Sequence, residues 1–269
     1  MPRTGGSTMH IAVLGLGEAG SIYAADLAVR GATVRGTDPH VSAALPGVTR
    51  AADIADAVRG ADLVLSLVGA DAAASVLDAA AWAMEPHGVF ADMNTASPDD
   101  KRRLAASADA RGVVLVDVAI MAPVPRARIE TPLLLSGAGV ERLAPLLARL
   151  GIPATPVGDQ PGAAAQLKLL RSVFMKGLAA VVYESVEAAD AVGAREWVIG
   201  QIAGELGPGG DEVVRHLIEG TAKHALRREA EMRETRDLLD SLGARRAMTD
   251  GTIEWLGALA ARPAPATIE

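Results

Sequence analysis

The chain has 269 residues, half of them hydrophobic but only 3% aromatic, so it can form two modest domains with cores of Ala, Val, Leu and Ile. A formal charge of −7 gives nothing to draw nucleic acid or an anionic membrane surface, so an anionic ligand would need a local basic cluster. With no cysteine, disulfides, thiolate nucleophiles and Cys-ligated zinc are excluded together.

The segment 1–10 has one Arg and no apolar run, so it is not expected to be a secretory signal. No stretch of about 18 uncharged apolar residues predicts a membrane span, and a cytoplasmic location is expected. From there, short β-branched runs alternate with Ala-rich helical runs. The predicted strands are His10–Leu14, Thr33–Thr37, Leu63–Val68, Val89–Met93 and Val113–Val118; the predicted helices between them include Gly20–Arg30, Ala72–Met84 and Pro98–Arg111. Such alternation, with continuously apolar strands, points to a doubly wound parallel sheet of Rossmann type. Two more strands, Pro132–Leu135 and Ala154–Val157, flank a helix over Val140–Leu150. The texture then changes. Gly162–Ala191 has hardly a breaker, and Leu167, Leu170, Phe174, Leu178 and Val181 recur at spacings of three and four, predicting one long helix. Further helices are expected at Arg195–Leu206, Asp211–Leu242 and Thr252–Ala261, with a Pro- and Ala-rich tail from Pro263 that frays. The fold expected is thus α/β: a dinucleotide-binding Rossmann domain over 9–160, then an all-helical domain over 161–262, divided at the Gly158, Pro161, Gly162 punctuation.

His10–Gly20 reads as a buried strand, a G-x-G-x-x-G turn and the start of a helix. Gly15 allows the tight turn, Gly17 lets the backbone approach a pyrophosphate, and Gly20 permits close helix–strand packing. The intervening Leu16, Glu18 and Ala19 belong to the same cofactor loop, whose free N–H groups face the phosphates. The next strand ends at Asp38, where a carboxylate would accept hydrogen bonds from a ribose diol and repel a 2′-phosphate. That favours NAD; Arg35 and His40 leave NADP open.

Lys168 lies early in the long helix, with Arg171, Ser172 and Met175 on its face at i+3, i+4 and i+7. Among Leu167, Leu169 and Leu170, desolvation and the Arg171 charge would lower its pKa and suit it to acid/base work on a hydroxyl proton. The plainer reading is a lysine snorkelling from an apolar helix. Nearer the C-terminus, His224, Arg227, Arg228 and Glu231 form one helical stripe that either grips a carboxylate or phosphate or is a solvated face of mixed charge. No second His or carboxylate at ligand spacing accompanies His224, so no metal site is expected.

These residues resemble a known superfamily. GLGEAG (15–20), LSLV (65–68), DMNTASP (92–98) and VDVAIMAP (116–123) are similar to segments of the NAD-binding domain shared by 3-hydroxyisobutyrate, tartronate semialdehyde and 6-phosphogluconate dehydrogenases. Gly162 followed by Lys168 resembles that superfamily's G-x-x-x-x-x-K segment. AIMAPVP (119–125), LKLLRSVFMKG (167–177) and HALRREAEM (224–232) look closest to a branch labelled phosphogluconate-dehydrogenase-like, whose C-terminal domain has no assigned function. The resemblance implies an NAD(P)-dependent oxidoreductase with Lys168 as acid/base and Arg171 and Ser172 beside it. Leu67, Val68, Asn94 and Thr95 would line the nicotinamide, while Ala119, Ile120 and Met121 would form the substrate loop with His224 and Arg228 nearby. The implied substrate is a 3-hydroxy acid or related small anionic carbonyl compound; imine reduction, or cofactor binding without catalysis, are the alternatives. The departures are specific. Met121-Ala122-Pro123 stands where hydroxyacid dehydrogenases have Ser-Gly-Gly; Ser172 replaces an Asn, and Met175 replaces the Glu that assists decarboxylation. Oxidation of 6-phosphogluconate is therefore not expected. Imine reductases usually carry Asp or Tyr where Lys168 stands. The long helix needs more apolar partner surface than one small helical domain provides, so a homodimer is expected.

Overall fold

A computed structural model describes residues 8–262, which divide into two compact units between Lys168 and Leu169. The first holds eight strands: β1 His10–Leu14, β2 Thr33–Thr37, β3 Val48–Arg50, β4 Leu63–Ser66, β5 Val89–Asp92, β6 Val114–Ile120, β7 Leu133–Ser136 and β8 Ala154–Gly158. They form one sheet in the order β3-β2-β1-β4-β5-β6-β7-β8, the doubly wound order in which the chain reverses between β1 and β4. The helices are α1 Glu18–Val29, α2 Ile54–Val58, α3 Ala70–Ala81, α4 Pro98–Asp109, α5 Val124–Ala127, α6 Val140–Arg149 and the start of α7 Ala163–Asp190.

The continuous apolar strands are buried on both faces. Ile11 and Val13 of β1 join one core with Leu65, Val89, Ala91 and Val116, while Ala12 and Leu14 join the other with Val64, Phe90 and Leu115. Alternate side chains of a strand point to opposite faces, so this distribution requires helices on both sides. The strands read from the sequence all appear, but β3 and α2 do not follow from any pattern. Three residues of β3 are too few to show a period, and the single turn of α2 is fixed by Asp53, whose carboxylate accepts Asp56 N–H at 2.8 Å.

One feature differs from the parallel sheet expected. β7 runs antiparallel to β6, with Asp117 paired to Ser136 and Ile120 to Leu133. The intervening chain holds only the single turn α5 and a 3-10 turn at Arg128–Glu130, too little helix to carry it over a face of the sheet and back. The break between units falls inside α7, beyond the Gly158–Gly162 punctuation. The Pro-rich tail from Pro263 lies outside the described residues, as do the first seven residues of the 1–10 segment.

The second unit is helical: the remainder of α7, α8 Arg195–Leu206, α9 Gly210–Ser241 and α10 Ala247–Ala260. Ala179, Val182, Ala203, Val214 and Leu217 make one core, and Met232, Ile253 and Leu256 a second, beside which Tyr183 and Trp255 meet edge to face at 5.0 Å. Among the described residues no helix is long and apolar enough to cross a membrane.

Close approach of α1 to β1 tolerates no side chain at Gly20, where a Cβ would overlap the carbonyl oxygen of Gly15. Gly20→Ala is expected to destabilise the first unit by about 1–3 kcal/mol, seen as a Tm lowered by several degrees in a circular dichroism melt. An unchanged Tm would show that the turn relaxes without cost.

Candidate active site

The glycine turn closes the carboxyl end of β1. Gly15 has φ +89° and donates its N–H to Thr37 O at 2.9 Å; a Cβ on it would stand 2.5 Å from Leu67 O. Only glycine meets both demands. No side chain caps α1, and the space around Gly17 is open within 4 Å. A helix N-terminus left uncapped beside open space fits a pyrophosphate. Glu18 is exposed and Ala19 half-buried on the first turn, while Leu16 turns inward and is buried.

Asp38 follows β2 and braces this turn. Its Oδ2 accepts Leu16 N–H at 2.7 Å, and its Oδ1 accepts His40 N–H at 2.7 Å and Val41 N–H at 3.1 Å. Burial alone raises the carboxyl's pKa, but these three N–H groups, with His40 nearby, hold it below the usual carboxylate range. The other residues weighed for a 2′-phosphate part ways. Arg35 is engaged by α2, donating to Asp56 O at 3.0 Å, and His40 is exposed. Arg50, in the strand the sequence did not reveal, donates to Asp38 O and is exposed beside the β2 turn.

A polar cluster occupies the last residues of β4, β5 and β7 and the middle of β6. Asn94 Oδ1 accepts Gly69 N–H at 2.7 Å, and its Nδ2 donates to Ser66 Oγ at 3.2 Å and Asp92 Oδ1 at 2.5 Å. Buried Lys101 of α4 meets Asp92 Oδ2 at 2.7 Å and Asp117 Oδ1 at 3.2 Å. Asp117 Oδ2 accepts Ser136 Oγ–H and Ala165 N–H, while Ser136 Oγ accepts Ala164 N–H. At the edge of this cluster Lys168 Nζ donates to Thr95 Oγ1 at 2.9 Å. Leu67 and Val68 are half-buried just beyond β4. In the proposed substrate loop Ala119 is buried, Ile120 and Met121 are half-buried, and Met121 N–H donates to Pro132 O at 2.9 Å.

The first unit thus brings together the glycine loop, Asp38, Asn94, Thr95 and Lys168. In the second, Ser172 is buried and accepts a hydrogen bond from Lys176 Nζ at 2.9 Å; Lys176 also pairs with Glu231 at 2.7 Å. Arg171 is exposed. α9 departs from helical geometry at His224 (φ −124°, ψ 23°), and beyond the kink Arg228 reaches back to donate to Thr221 Oγ1. Among the described residues no carboxylate lies within ion-pair distance of Arg228. Burial pulls its pKa below the ordinary value, as does Arg227, with Glu231 opposing.

The family described as the NAD binding domain of 6-phosphogluconate dehydrogenase matches residues 10–158, more than half of the chain. The chain belongs to that family. Residues 189–259 match a second family, described as a domain of unknown function (DUF1932), which with the first domain places the chain in the 3-hydroxyacid and 6-phosphogluconate dehydrogenase superfamily. A conserved hypothetical protein from Sinorhizobium meliloti 1021 is 32% identical over 96% of this chain and 91% of its own, with a TM-score of 0.73. A 3-hydroxyisobutyrate dehydrogenase from Mycobacterium tuberculosis, with L-serine, is 21% identical over 94% of each chain at a TM-score of 0.76, a likeness of fold. The uncharacterized 28.5 kDa protein in the 7S RNA 5′ region of Methanothermus fervidus is 27% identical over 147 residues. That match spans 56% of the curated relative's length and 55% of this chain.

Sequence reasoning passed over Lys101, Asp92, Asp117, Ser136 and Arg50. Asp92 and Asp117 stood inside matched segments, but Lys101 sits in the run DDKRR and reads there as an ordinary surface charge. A carboxyl whose folded pKa lies below its unfolded value of about 3.8 contributes stability above that value and loses it as pH falls through the folded one. The stability gap between wild type and Asp38→Ala is therefore expected to be level near neutrality and to shrink below about pH 4. Urea titrations at stepped pH measure it, and a gap independent of pH would contradict the assignment.

Proposed function

We propose that the chain is an NAD(P)-dependent oxidoreductase that interconverts a 3-hydroxy acid, or a related anionic alcohol, with its carbonyl form. What carries this reading is the 2.9 Å contact of Lys168 with Thr95 in the unit that holds the glycine loop. When bound, the nicotinamide supplies the acceptor or donor of two electrons and a hydrogen at the substrate carbon. Gly15–Gly20 would hold the pyrophosphate on the uncapped end of α1, and Asp38 the adenosine ribose, which favours NAD. Leu67, Val68, Asn94 and Thr95 would bound the nicotinamide. Lys168 takes the hydroxyl proton in oxidation and returns it to the carbonyl oxygen in reduction; Thr95 accepts one N–H and fixes the amine's orientation. Residues 161–262 are proposed as the substrate and dimerisation domain. There Ser172, Arg171, His224 and Arg228 are the residues proposed to orient the substrate, as Ala119–Met121 are in the first unit. Arg228 best supports an anionic substrate, since its guanidinium is half-buried beside the kink at His224 and can pair bidentately with a carboxylate.

Calorimetric titration with NADH and NADPH, on wild type and Asp38→Ala, tests the cofactor half. NADH is expected to bind more tightly and to lose more affinity in the variant than NADPH does. Tighter NADPH binding would hand the adenosine end to Arg50 or His40 instead. Lys168→Ala should lower turnover of the responding alcohol or acid by about 10²–10⁴-fold with cofactor affinity kept. Undiminished turnover would remove Lys168 from the chemistry. Amine-dependent oxidation of the reduced cofactor would select imine reduction, and binding without turnover a non-catalytic role.

A homodimer is part of the same proposal. Leu167, Phe174 and Val181 follow at intervals of seven along α7 and are 43%, 65% and 51% exposed, an apolar stripe suited to a second copy. Light scattering should give twice the chain mass at micromolar concentration, and Phe174→Glu should give the monomer. A monomeric wild type would refute it.

A further inference from the structure

Lys101, Asp92, Asp117 and Ser136 are each at most 2% exposed, yet none belongs to the glycine loop or to the proposed acid/base pair. Burying a lysine with two carboxyl side chains is costly unless every N–H and oxygen is placed. Here the ammonium donates to Asp92 Oδ2 at 2.7 Å and Asp92 O at 3.0 Å, and lies 3.2 Å from Asp117 Oδ1 as an ion pair, an oxygen that accepts no hydrogen bond. Two arms leave this centre. One runs from Asp92 through Asn94 to Ser66 and Gly69, gripping the loop whose next residue is Thr95. The other runs from Asp117 and Ser136 to the N–H groups of Ala164 and Ala165, in the first turn of α7. Lys168 stands one turn further along that helix. A carboxyl at a helix N-terminus also meets the partial positive charge there. The entry of α7 has no slack on its other side, since a Cβ on Gly162 would lie 2.6 Å from Pro98 O at the head of α4, the helix that bears Lys101.

We infer that Lys101, with Asp92, Asp117 and Ser136, is a positioning cluster that sets the spacing between the Thr95 loop and the first turn of α7. It thereby holds the amine of Lys168 against Thr95. Its catalytic meaning rests on the oxidoreductase reading; its geometry does not. A cluster serving stability alone would have no reason for its two arms to end on the two elements that carry this contact.

Trace acylation of the full chain with acetic anhydride across a pH series, read at Lys168 by mass spectrometry, gives the amine's reactivity and titration midpoint without any substrate. Thr95→Val should change the Lys168 acylation rate by about threefold or more, because a hydrogen bond to the amine is lost. Ser136→Ala, which removes one tether of α7 and leaves the ion cluster, should change it in the same direction with a nearly native melting curve. Ser136→Thr, which keeps the hydroxyl, should restore the wild-type value. Lys101→Met should act more strongly if it folds, and Ser136→Ala carries the test if it does not. A Thr95→Val effect with Ser136→Ala indistinguishable from wild type would overturn the inference, and so would an inert Thr95→Val. NADH titration of the same samples separates the two readings: if wild type binds no nicotinamide, the oxidoreductase proposal falls while the acylation result stands.

Discussion

A single ammonium group, that of Lys101, organises the carboxyl end of the sheet. It is 2% exposed and serves carboxyl groups from two adjacent strands, so β5, β6 and α4 cannot shift separately without leaving a charge uncompensated. Buried ion pairs of this kind seldom add much net stability, because desolvation offsets most of the attraction. They do penalise every arrangement that separates the partners. The cluster exchanges stability that apolar packing would supply for a defined geometry at the strand ends, where a doubly wound sheet binds its ligands.

The glycine turn obeys a different constraint. Its requirements are set by backbone atoms: the positive φ of Gly15, the carbonyl of Leu67 above it, and the carbonyl of Gly15 against Gly20. Asp38 reinforces this from the neighbouring strand through the N–H of Leu16. The same carboxylate suited to a ribose diol therefore also braces the loop that would hold the phosphates. On the proposed reading, loop shape and adenosine recognition would be coupled through one side chain, and a substitution there would act on both.

How much was legible follows from these two cases. The glycine loop, the long apolar strands and the 28-residue α7 were legible because each depends on local pattern: a fixed spacing, a continuous apolar run, a period near 3.6. The place of Asp38 just after β2 was legible, though not its bracing role. The Lys101 cluster was not, because it joins residues from four elements that only the sheet order brings together, and no sequence spacing encodes β5 lying beside β6. Lys101 lies among Asp99, Asp100, Arg102 and Arg103, which are exposed, and nothing local distinguishes it from them. β3 and Arg50 escaped for want of length. The reversal of β7 escaped because apolar runs mark strands without giving their direction, and the short turn α5 was not recognised as too little helix for a crossover.

The two units carry different shares of the superfamily's motifs. Thr95, Lys168 and the glycine loop, which match the superfamily's motifs, belong to the unit held by the sheet and its buried cluster. Ser172, Met175 and the kinked stretch around His224 and Arg228, which depart from those motifs or have no assigned role, belong to the helical unit. The kink at His224 lets Arg228 turn back toward Thr221 without lengthening the helix. Met121-Ala122-Pro123, which stands where hydroxyacid dehydrogenases have Ser-Gly-Gly, lies in the same unit as Thr95 and Lys168, so that departure falls on the proposed substrate loop and leaves the proposed proton-transfer pair in place.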